Sequence, residues 1–218
     1  MTHDPPHRLP KPHNYGHWWN NNQLGLQWYQ EIFGVRKQVH EYFIDWFDKL
    51  RERQPIETIL EVGCGRGFPY TEVFKEYAYT GIDISAKEIE WCRQEDRNPQ
   101  HRFWCGDFLS DDYTDKADLA FSHAVIDHVY DINRFLERIV SCANRAIFVT
   151  AFRGWFPNLE QHRYNWEDAL TCFNNDVSAS EARGVLTRLG CEEVRVAPLR
   201  VDNRQDDIDW ETVIVARV

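Results

Sequence analysis

Three alternate glycines after a short apolar run are the strongest indication of chemistry in this chain. The run from 58 to 62 is rich in aliphatic residues, which is typical of a buried strand, and Gly63, Gly65 and Gly67 follow it directly. Glycine lets the chain turn sharply and leaves backbone exposed, so that a ligand can approach closely. The spacing is one residue shorter than the Gly-x-Gly-x-x-Gly that holds a pyrophosphate. The sequence therefore predicts a ligand site at this turn.

Two further predicted strands end in carboxylates. The first, 79–84, carries Asp83 near its end, where an acidic side chain can accept hydrogen bonds from both hydroxyls of a ribose. The second, 101–108, ends in Asp107 and Phe108, which suit an exocyclic amine and the face of a purine. Each feature alone also fits an ordinary turn or helix cap. Together they outline a nucleoside without a phosphate.

With these motifs the chain resembles the class I S-adenosylmethionine-dependent methyltransferases from about 57 to 150, with an extension towards the C-terminus. The resemblance implies that the glycine turn wraps the methionine part of the cofactor, that Asp83 binds the ribose and that Asp107 contacts the adenine amine. The cofactor-binding residues expected on this basis are Glu61, Gly63, Cys64, Gly65, Gly67, Asp83, Ile84, Gly106, Asp107, Phe108 and Ser122.

Histidines follow the fourth predicted strand, 117–122. Ligands of open α/β sheets bind outside the carboxyl ends of the strands, so His123, Asp127 and His128 border the reactive end of the cofactor. Either histidine can remove a proton from an acceptor near neutral pH, and Asp127 can orient one of them. These three are the predicted catalytic residues. The alternative is a structural role at the cofactor's edge.

Two aromatic segments are candidates for the acceptor pocket. The loop after the fifth strand contributes Arg153, Trp155 and Arg163, in which the guanidinium groups suit a carboxylate or phosphate. Near the N-terminus, an aromatic cluster can close over the cofactor and attract its cationic sulfonium. Its predicted substrate-binding members are Tyr15, Trp18 and Trp19. Both segments can alternatively serve only to pack the end of the sheet.

The elements that position these residues alternate between helix and strand. This pattern predicts an α/β fold, a doubly wound and mostly parallel seven-stranded sheet with helices on both faces. The other expected elements are helices at 38–52 and 131–143, capping boxes at 85–88 and 178–181, and strands at 145–151, 193–199 and 210–218. The last two strands form a hairpin about a polar segment, 202–209. By the resemblance, the last strand is antiparallel.

The domain organisation is read from composition along the chain. Residues 1–14, with four prolines and three histidines, are expected to be a flexible arm, and 15–53 an N-terminal helical cap. Residues 54–218 are expected to form the methyltransferase domain, with a substrate-loop insertion at about 153–177.

Composition restricts the partners. A formal net charge of −10 without a cluster of Lys and Arg disfavours nucleic acid, and no apolar run approaches the length of a membrane span. The six cysteines lie far apart without metal-ligand spacing, so we expect reduced thiols and no metal. These features favour a cytoplasmic monomer or homodimer that acts on a small molecule.

The predicted function is methyl transfer from S-adenosylmethionine to an O or N atom of a small-molecule acceptor, with an anionic metabolite or a glycan as candidates. Methylation of a protein side chain is an alternative, and so is a scaffold or sensor that binds the cofactor without catalysis. The glycine spacing and the terminal hairpin disfavour a nicotinamide-dependent oxidoreductase.

Overall fold

The computed structural model describes residues 9–21, 25–202 and 209–218. Their strands are β1 Thr58–Val62, β2 Ala78–Asp83, β3 Arg102–Cys105, β4 Ala117–His123, β5 Ala143–Ala151, β6 Trp166–Glu167, β7 Cys172–Phe173, β8 Glu192–Arg200 and β9 Trp210–Arg217. Their α-helices are α1 His17–Asn21, α2 Leu26–Val35, α3 Lys37–Arg53, α4 Tyr70–Val73, α5 Ala86–Glu95, α6 Ile132–Ser141 and α7 Ala179–Arg188.

Seven strands form one sheet in the order β3, β2, β1, β4, β5, β9, β8. The pairs among the first five strands are parallel, whereas β9 runs antiparallel between β5 and β8. The predicted mostly parallel sheet with an antiparallel last strand is confirmed. Residues 203–208 of the predicted polar turn lie outside the described residues. The order reverses between β1 and β4, which is where ligands of such sheets bind.

Apolar side chains cover both faces of the sheet. On one face, α6 and α7 contribute the helical side of a large aliphatic core. On the other face, α3 and α4 supply an aromatic core that includes Phe43, Tyr70 and Phe74, none more than 2% exposed. Burying one such side chain stabilises the fold by roughly 1.5–3 kcal/mol. This aromatic core also places one end of α3 beside the carboxyl edge of β4.

Helix α5 corrects one sequence-based expectation. The predicted capping box at Ser85 is wrong, because Ser85 Oγ donates to the Trp19 carbonyl and Glu88 pairs with Arg66 instead. The amide of Ala86, at the start of α5, donates to Asn20 Oδ1 at 3.1 Å. The first turn of α5 is therefore capped from the N-terminal segment.

The second predicted capping box forms in one direction. Ser178 Oγ accepts from the Glu181 amide, as predicted, but the Ser178 amide donates to His162 Nδ1 at 2.9 Å. The reciprocal bond from Glu181 is absent from the described contacts because its carboxylate accepts from Asn133 and from the His162 amide. The predicted third strand is also shorter, since the chain turns after Cys105.

A buried ion pair joins the corner between α2 and α3 to the sheet. Arg36 Nε donates to Glu211 Oε1 at 2.8 Å, and Arg36 Nη2 donates to Glu211 Oε2. Arg36 Nη2 also donates to Thr150 Oγ1, at 3.0 Å. Arg36 is 3% exposed and Glu211 0%. Removing one partner of such a pair leaves an uncompensated buried charge, which is costly.

We expect Glu211→Ala to lower the free energy of unfolding by about 3–5 kcal/mol, because it leaves Arg36 buried without its carboxylate. Urea denaturation followed by circular dichroism measures this loss. Glu192→Ala is the matched control, since Glu192 pairs with Arg217 at an exposed site and its loss costs at most about 1 kcal/mol. Equal losses for the two variants would contradict this account.

Candidate cofactor site and active site

The carboxyl ends of β1, β2 and β4 open into one cavity of about 210 Å³. Nine of the predicted cofactor residues line it, namely Glu61, Gly63, Cys64, Gly65, Asp83, Ile84, Gly106, Asp107 and Phe108. Gly67 and Ser122 lie outside this lining. Ser122 Oγ donates to the Val62 carbonyl at 2.8 Å, so it joins β4 to β1. The structure thus brings the three predicted strand ends together.

The glycine turn has a backbone that requires glycine. Gly63 and Gly65 have φ angles of +79° and +50°, in the left-handed region. A β-carbon on Gly63 would lie 2.1 Å from the Val125 side chain, and one on Gly65 would lie 2.5 Å from the Tyr29 ring. Gly67, at φ +72°, closes the turn by donating to the Cys64 carbonyl at 2.7 Å. At Gly63 and Gly65 the backbone therefore meets the cavity without a side chain of its own.

Asp83 links this turn to the end of β2. Its Oδ2 accepts from the Gly65 amide and its Oδ1 from the Ser85 amide, both at 2.8 Å. Burial raises the pKa of Asp83, and these two amide hydrogen bonds oppose that rise. A carboxylate has about four lone-pair sites, so hydroxyl groups can still donate to it.

Asp107 and Phe108 lie at the other end of the cavity. Asp107 Oδ2 pairs with Lys11 Nζ at 2.8 Å and accepts from Tyr130 Oη at 3.4 Å. The Phe108 ring lies 5.7 Å from the Phe135 ring. An adenine amine at the predicted position would therefore compete with Lys11 for the same carboxylate.

Glu61 lies beneath the glycine turn. It is 4% exposed, and its Oε2 accepts from Tyr79 Oη. Burial raises the pKa of Glu61 well above its ordinary value, which favours the protonated carboxyl. Glu61 thus lies in the cavity floor with its carboxyl bonded to Tyr79.

The N-terminal segment crosses the cavity. Of the predicted arm, residues 1–8 lie outside the described residues. The Gly16 amide donates to the Thr171 carbonyl at 3.1 Å, and the Trp18 amide to Thr171 Oγ1 at 2.8 Å. On the opposite side the Trp19 carbonyl accepts from Ser85. Tyr15 and Trp19 line the cavity, whereas Trp18 packs edge-on against Trp19 outside the lining.

The three residues of the predicted substrate loop that were assigned to the acceptor lie outside the cavity lining. Arg153, Trp155 and Arg163 are not among the described residues that line it. Trp155 packs against the aliphatic core, and Arg163 pairs with Asp176 at 3.0 Å. The contacts of Trp155 and Arg163 lie within the core and the insertion, so the acceptor assignment of these two residues has no geometric support.

Helix α2 supplies the wall that sequence reasoning assigned to this loop. Trp28, Tyr29, Ile32 and Phe33 all line the cavity, and all are half-buried. Their spacing of one, four and five residues places them on one face of the helix. That spacing was the available signal, but it also fits packing against a core.

His123 lies at the cavity end of β4 within a buried hydrogen-bond network. Its Nε2 is 2.8 Å from Tyr70 Oη and its Nδ1 is 3.2 Å from Thr150 Oγ1. Tyr70 Oη also bonds His40 Nδ1, and Thr150 joins the network to Arg36. Sequence reasoning missed His40 and Tyr70, since one lies on α3 among core residues and the other on a four-residue helix.

Burial keeps the histidines of this network uncharged. It lowers the pKa of His40 to about 3, and the positive charge of Arg36 adds to the effect. Burial, His40 and Arg36 together lower the pKa of His123 well below its ordinary value. Both rings are therefore neutral near pH 7.

Asp127 does not make the contact expected of it, whereas His128 lies in the cavity lining. The prediction that Asp127 orients a histidine is wrong, since Asp127 Oδ2 accepts from the Phe152 amide and Oδ1 has no partner in the described part of the chain. His128 Nδ1 lies 2.8 Å from the Phe173 carbonyl, so that nitrogen carries the hydrogen and donates it. His128 lines the cavity, 5.7 Å from the Trp19 ring.

Comparison with known families identifies the domain. A profile described as a methyltransferase domain matches residues 60–145, which include the glycine turn, Asp83, Asp107 and His123. Residues 60–145 are thus a methyltransferase domain, and the findings support a class I S-adenosylmethionine-dependent methyltransferase. Its cofactor, S-adenosylmethionine, supplies an activated methyl group on a sulfonium.

Solved structures share the fold of this methyltransferase. Magnesium protoporphyrin IX methyltransferase from Synechocystis PCC 6803, with bound S-adenosylmethionine, is 14% identical, and the match covers 93% of this chain and 88% of that chain, with a TM-score of 0.61. A methyltransferase from Methanosarcina mazei is 19% identical, with coverages of 75% and 93% and a TM-score of 0.57. The [4+2]-cyclase SpnF is 18% identical, covering 78% of each chain at a TM-score of 0.58.

The described residues of the methyltransferase contain no group of three or more His, Cys, Asp or Glu side chains that could hold a metal ion. No helix in the same ranges is long and apolar enough to span a membrane. The six cysteines are free thiols.

We expect Asp83→Asn to weaken S-adenosylhomocysteine binding by about 10- to 150-fold, because hydrogen bonds to a charged group contribute about 1.5–3 kcal/mol. Isothermal titration calorimetry measures this affinity. Asp111→Asn is the control, since Asp111 is exposed and pairs only with Arg134 among the described residues. Unchanged affinity in Asp83→Asn would remove Asp83 from the cofactor site.

We also expect His40 to make stability depend on pH. Its folded pKa of about 3 lies below the unfolded value of about 6.5, so the unfolded chain binds the proton first as pH falls. The contribution of neutral His40 to the free energy of unfolding is complete above about pH 6.5. It declines by about 1.4 kcal/mol per pH unit as the pH falls towards 3.

When the pH falls from about 6.5 to about 5, the free energy of unfolding of His40→Phe should therefore decrease by about 2 kcal/mol less than that of the unaltered chain. Urea denaturation at each pH measures the two slopes. His17→Phe, at an exposed position, should keep the original slope. Parallel curves for the unaltered chain and His40→Phe would show that His40 is charged in the fold.

Proposed function

We propose that this methyltransferase transfers the methyl group to an oxygen or nitrogen atom of a small molecule held between α2 and the end of β4. One observation carries the proposal. The cavity that begins at Asp107 and Asp83 continues without a break to His40 and His123, beneath the aromatic face of α2. A cofactor lying on the glycine turn would direct its methyl group towards this second part.

The proposed roles follow position in the cavity. Asp83 would bind the ribose, the backbone at Gly63 and Gly65 the methionine part, and Asp107 the adenine amine. Tyr15 and Trp19 would cover the cofactor, while Trp28 and Phe33 would contact the acceptor; the lining includes all of these residues. Methyl transfer is an in-line displacement on an activated donor, so holding the acceptor at near-attack distance supplies much of the acceleration.

The cavity gives no support to an anionic acceptor. Arg153 and Arg163 lie outside its lining, and the guanidinium of Arg36 is already held by Glu211 and Thr150. An anion would therefore meet no free cation among the described residues that line the cavity. A glycan would match poorly with a wall of Trp28, Ile32 and Phe33.

A small acceptor is favoured over a protein side chain. The N-terminal segment crosses the cavity and is hydrogen-bonded on both sides, through Thr171 and Ser85. A protein acceptor needs an open groove that admits a chain on either side of the modified residue. The fold alone does not decide, because SpnF, which is similar in structure, is described as a cyclase.

Radiolabelled S-adenosylmethionine tests the proposal directly. We expect label from the methyl group to enter an enzyme-dependent small-molecule product, separated by chromatography from unreacted S-adenosylmethionine in the ultrafiltrate of a cell extract, and not the protein fraction. Label in the protein fraction would support the protein acceptor instead. Calorimetric binding of S-adenosylmethionine without label in either fraction would support the scaffold or sensor. Calorimetric heat of binding from NAD but not from S-adenosylmethionine would contradict every one of these S-adenosylmethionine-dependent functions.

A further inference from the structure

The acceptor end of the cavity is polar at one small place and apolar around it. The polar groups are His40, Tyr70 and His123, which line the cavity beside the aromatic face of α2. The rings of Phe33 and Phe68 lie 5.5 Å apart, and Phe33 lies 4.3 Å from the ring of His40. Such apolar walls with few polar groups are typical of sites for planar organic ligands.

The charged groups of the cavity are already paired. Arg36 is the one Lys or Arg among the described lining residues, and it is held by Glu211. Glu88 pairs with Arg66 at 2.6 Å, and Asp107 with Lys11. Asp83 accepts from backbone amides. A charged acceptor would therefore enter without a free counter-ion, which is costly in a desolvated site.

The hydrogen bonds of Tyr70 fix the relation between the two histidines. A neutral tyrosine has one hydroxyl hydrogen, and burial raises the pKa of Tyr70 well above its ordinary value. Its hydroxyl therefore donates to one of His40 Nδ1 and His123 Nε2 and accepts from the other. The two histidines must have opposite roles towards it.

One of the two arrangements prepares His40 to receive a proton. When Tyr70 donates to His123 Nε2, His40 Nδ1 carries a hydrogen and donates it to Tyr70. His40 Nε2 then has a free lone pair, and it has no hydrogen-bond partner within the described ranges of the chain. His123 Nδ1 carries a hydrogen and donates it to Thr150 Oγ1, which also accepts from Arg36.

We propose that the acceptor is an uncharged, planar aromatic compound whose reacting hydroxyl donates a hydrogen bond to His40 Nε2, and that Tyr70 is the residue that positions His40. This inference rests on the proposed function and names its substrate class. In the step, the hydroxyl oxygen forms a bond to the methyl carbon. The electron pair of the breaking carbon–sulfur bond stays on sulfur as a thioether, and the hydroxyl proton moves to His40 Nε2.

The charge of the cavity is unchanged by this step. Before transfer the positive charge is on the sulfonium, and after transfer it is on the imidazole of His40. Because His40 is neutral before the step, its Nε2 lone pair is available to the proton.

Binding of four related probes tests the substrate class. The protein is first saturated with S-adenosylhomocysteine, and 2-naphthol, naphthalene, 2-naphthoate and 2-naphthylmethylamine are then titrated at neutral pH by calorimetry. We expect 2-naphthol to bind at least about tenfold more tightly than the two charged probes. We expect it to bind about fivefold more tightly than naphthalene, because of one hydrogen bond.

Variants locate that hydrogen bond. His40→Phe retains a ring and should reduce the ratio of the 2-naphthol and naphthalene affinities to about one. Tyr70→Phe should reduce it too, since His40 loses the partner that orients it. General damage to the cavity would weaken the binding of 2-naphthol and naphthalene alike, so it would leave the ratio of their affinities unchanged. Tyr42→Phe, a half-buried tyrosine that packs on Phe148, is the matched control and should leave the ratio unchanged.

The outcomes separate this inference from the function on which it rests. Failure to bind S-adenosylhomocysteine would contradict the proposed function itself. Binding of S-adenosylhomocysteine with tighter binding of a charged probe, or with no binding of any probe, would overturn the substrate class. A ratio unchanged in His40→Phe would overturn the role of His40. Formation of 2-methoxynaphthalene when S-adenosylmethionine replaces S-adenosylhomocysteine would support both the substrate class and the proposed function.

Discussion

The buried ion pair of Arg36 and Glu211 fixes the position of α2, whose aromatic face lines the cavity. Arg36 lies at the corner where α2 ends and α3 begins, and Glu211 lies on β9, the strand inserted beside β5. The same guanidinium donates to Thr150, which bonds His123. The direction of α2 and the orientation of the histidine network therefore depend on one desolvated cation. Such a pair is weak support for stability as such, but it defines geometry closely.

The meeting of Gly63, Asp83 and Asp107 in one cavity could be predicted from the sequence because these residues follow strands directly. In a parallel sheet, successive carboxyl ends meet at one edge, so Gly63, Asp83 and Asp107 were brought together by topology alone. Local motifs suffice where the geometry of the sheet supplies the long-range contacts.

The part of the cavity beside α2 could not be predicted in the same way. His40 lies within a helix whose neighbours Val39 and Phe43 are core residues, and it joins the hydrogen-bond network only because Tyr70 and His123 meet it from other elements. The aromatic loop around Trp155 had the composition of a pocket, but it packs on the aliphatic core. Aromatic residues suit both a core and a ligand site, so composition does not distinguish the two.

The capping of α5 by Asn20 couples the cover to the domain beneath it. If the N-terminal segment lifts to exchange cofactor, the amide of Ala86 loses its acceptor, and a lost helix cap costs about 0.5–2 kcal/mol. That cost favours the closed arrangement by about 2- to 30-fold. Any movement of the segment at Asn20 would therefore also uncap a helix of the domain.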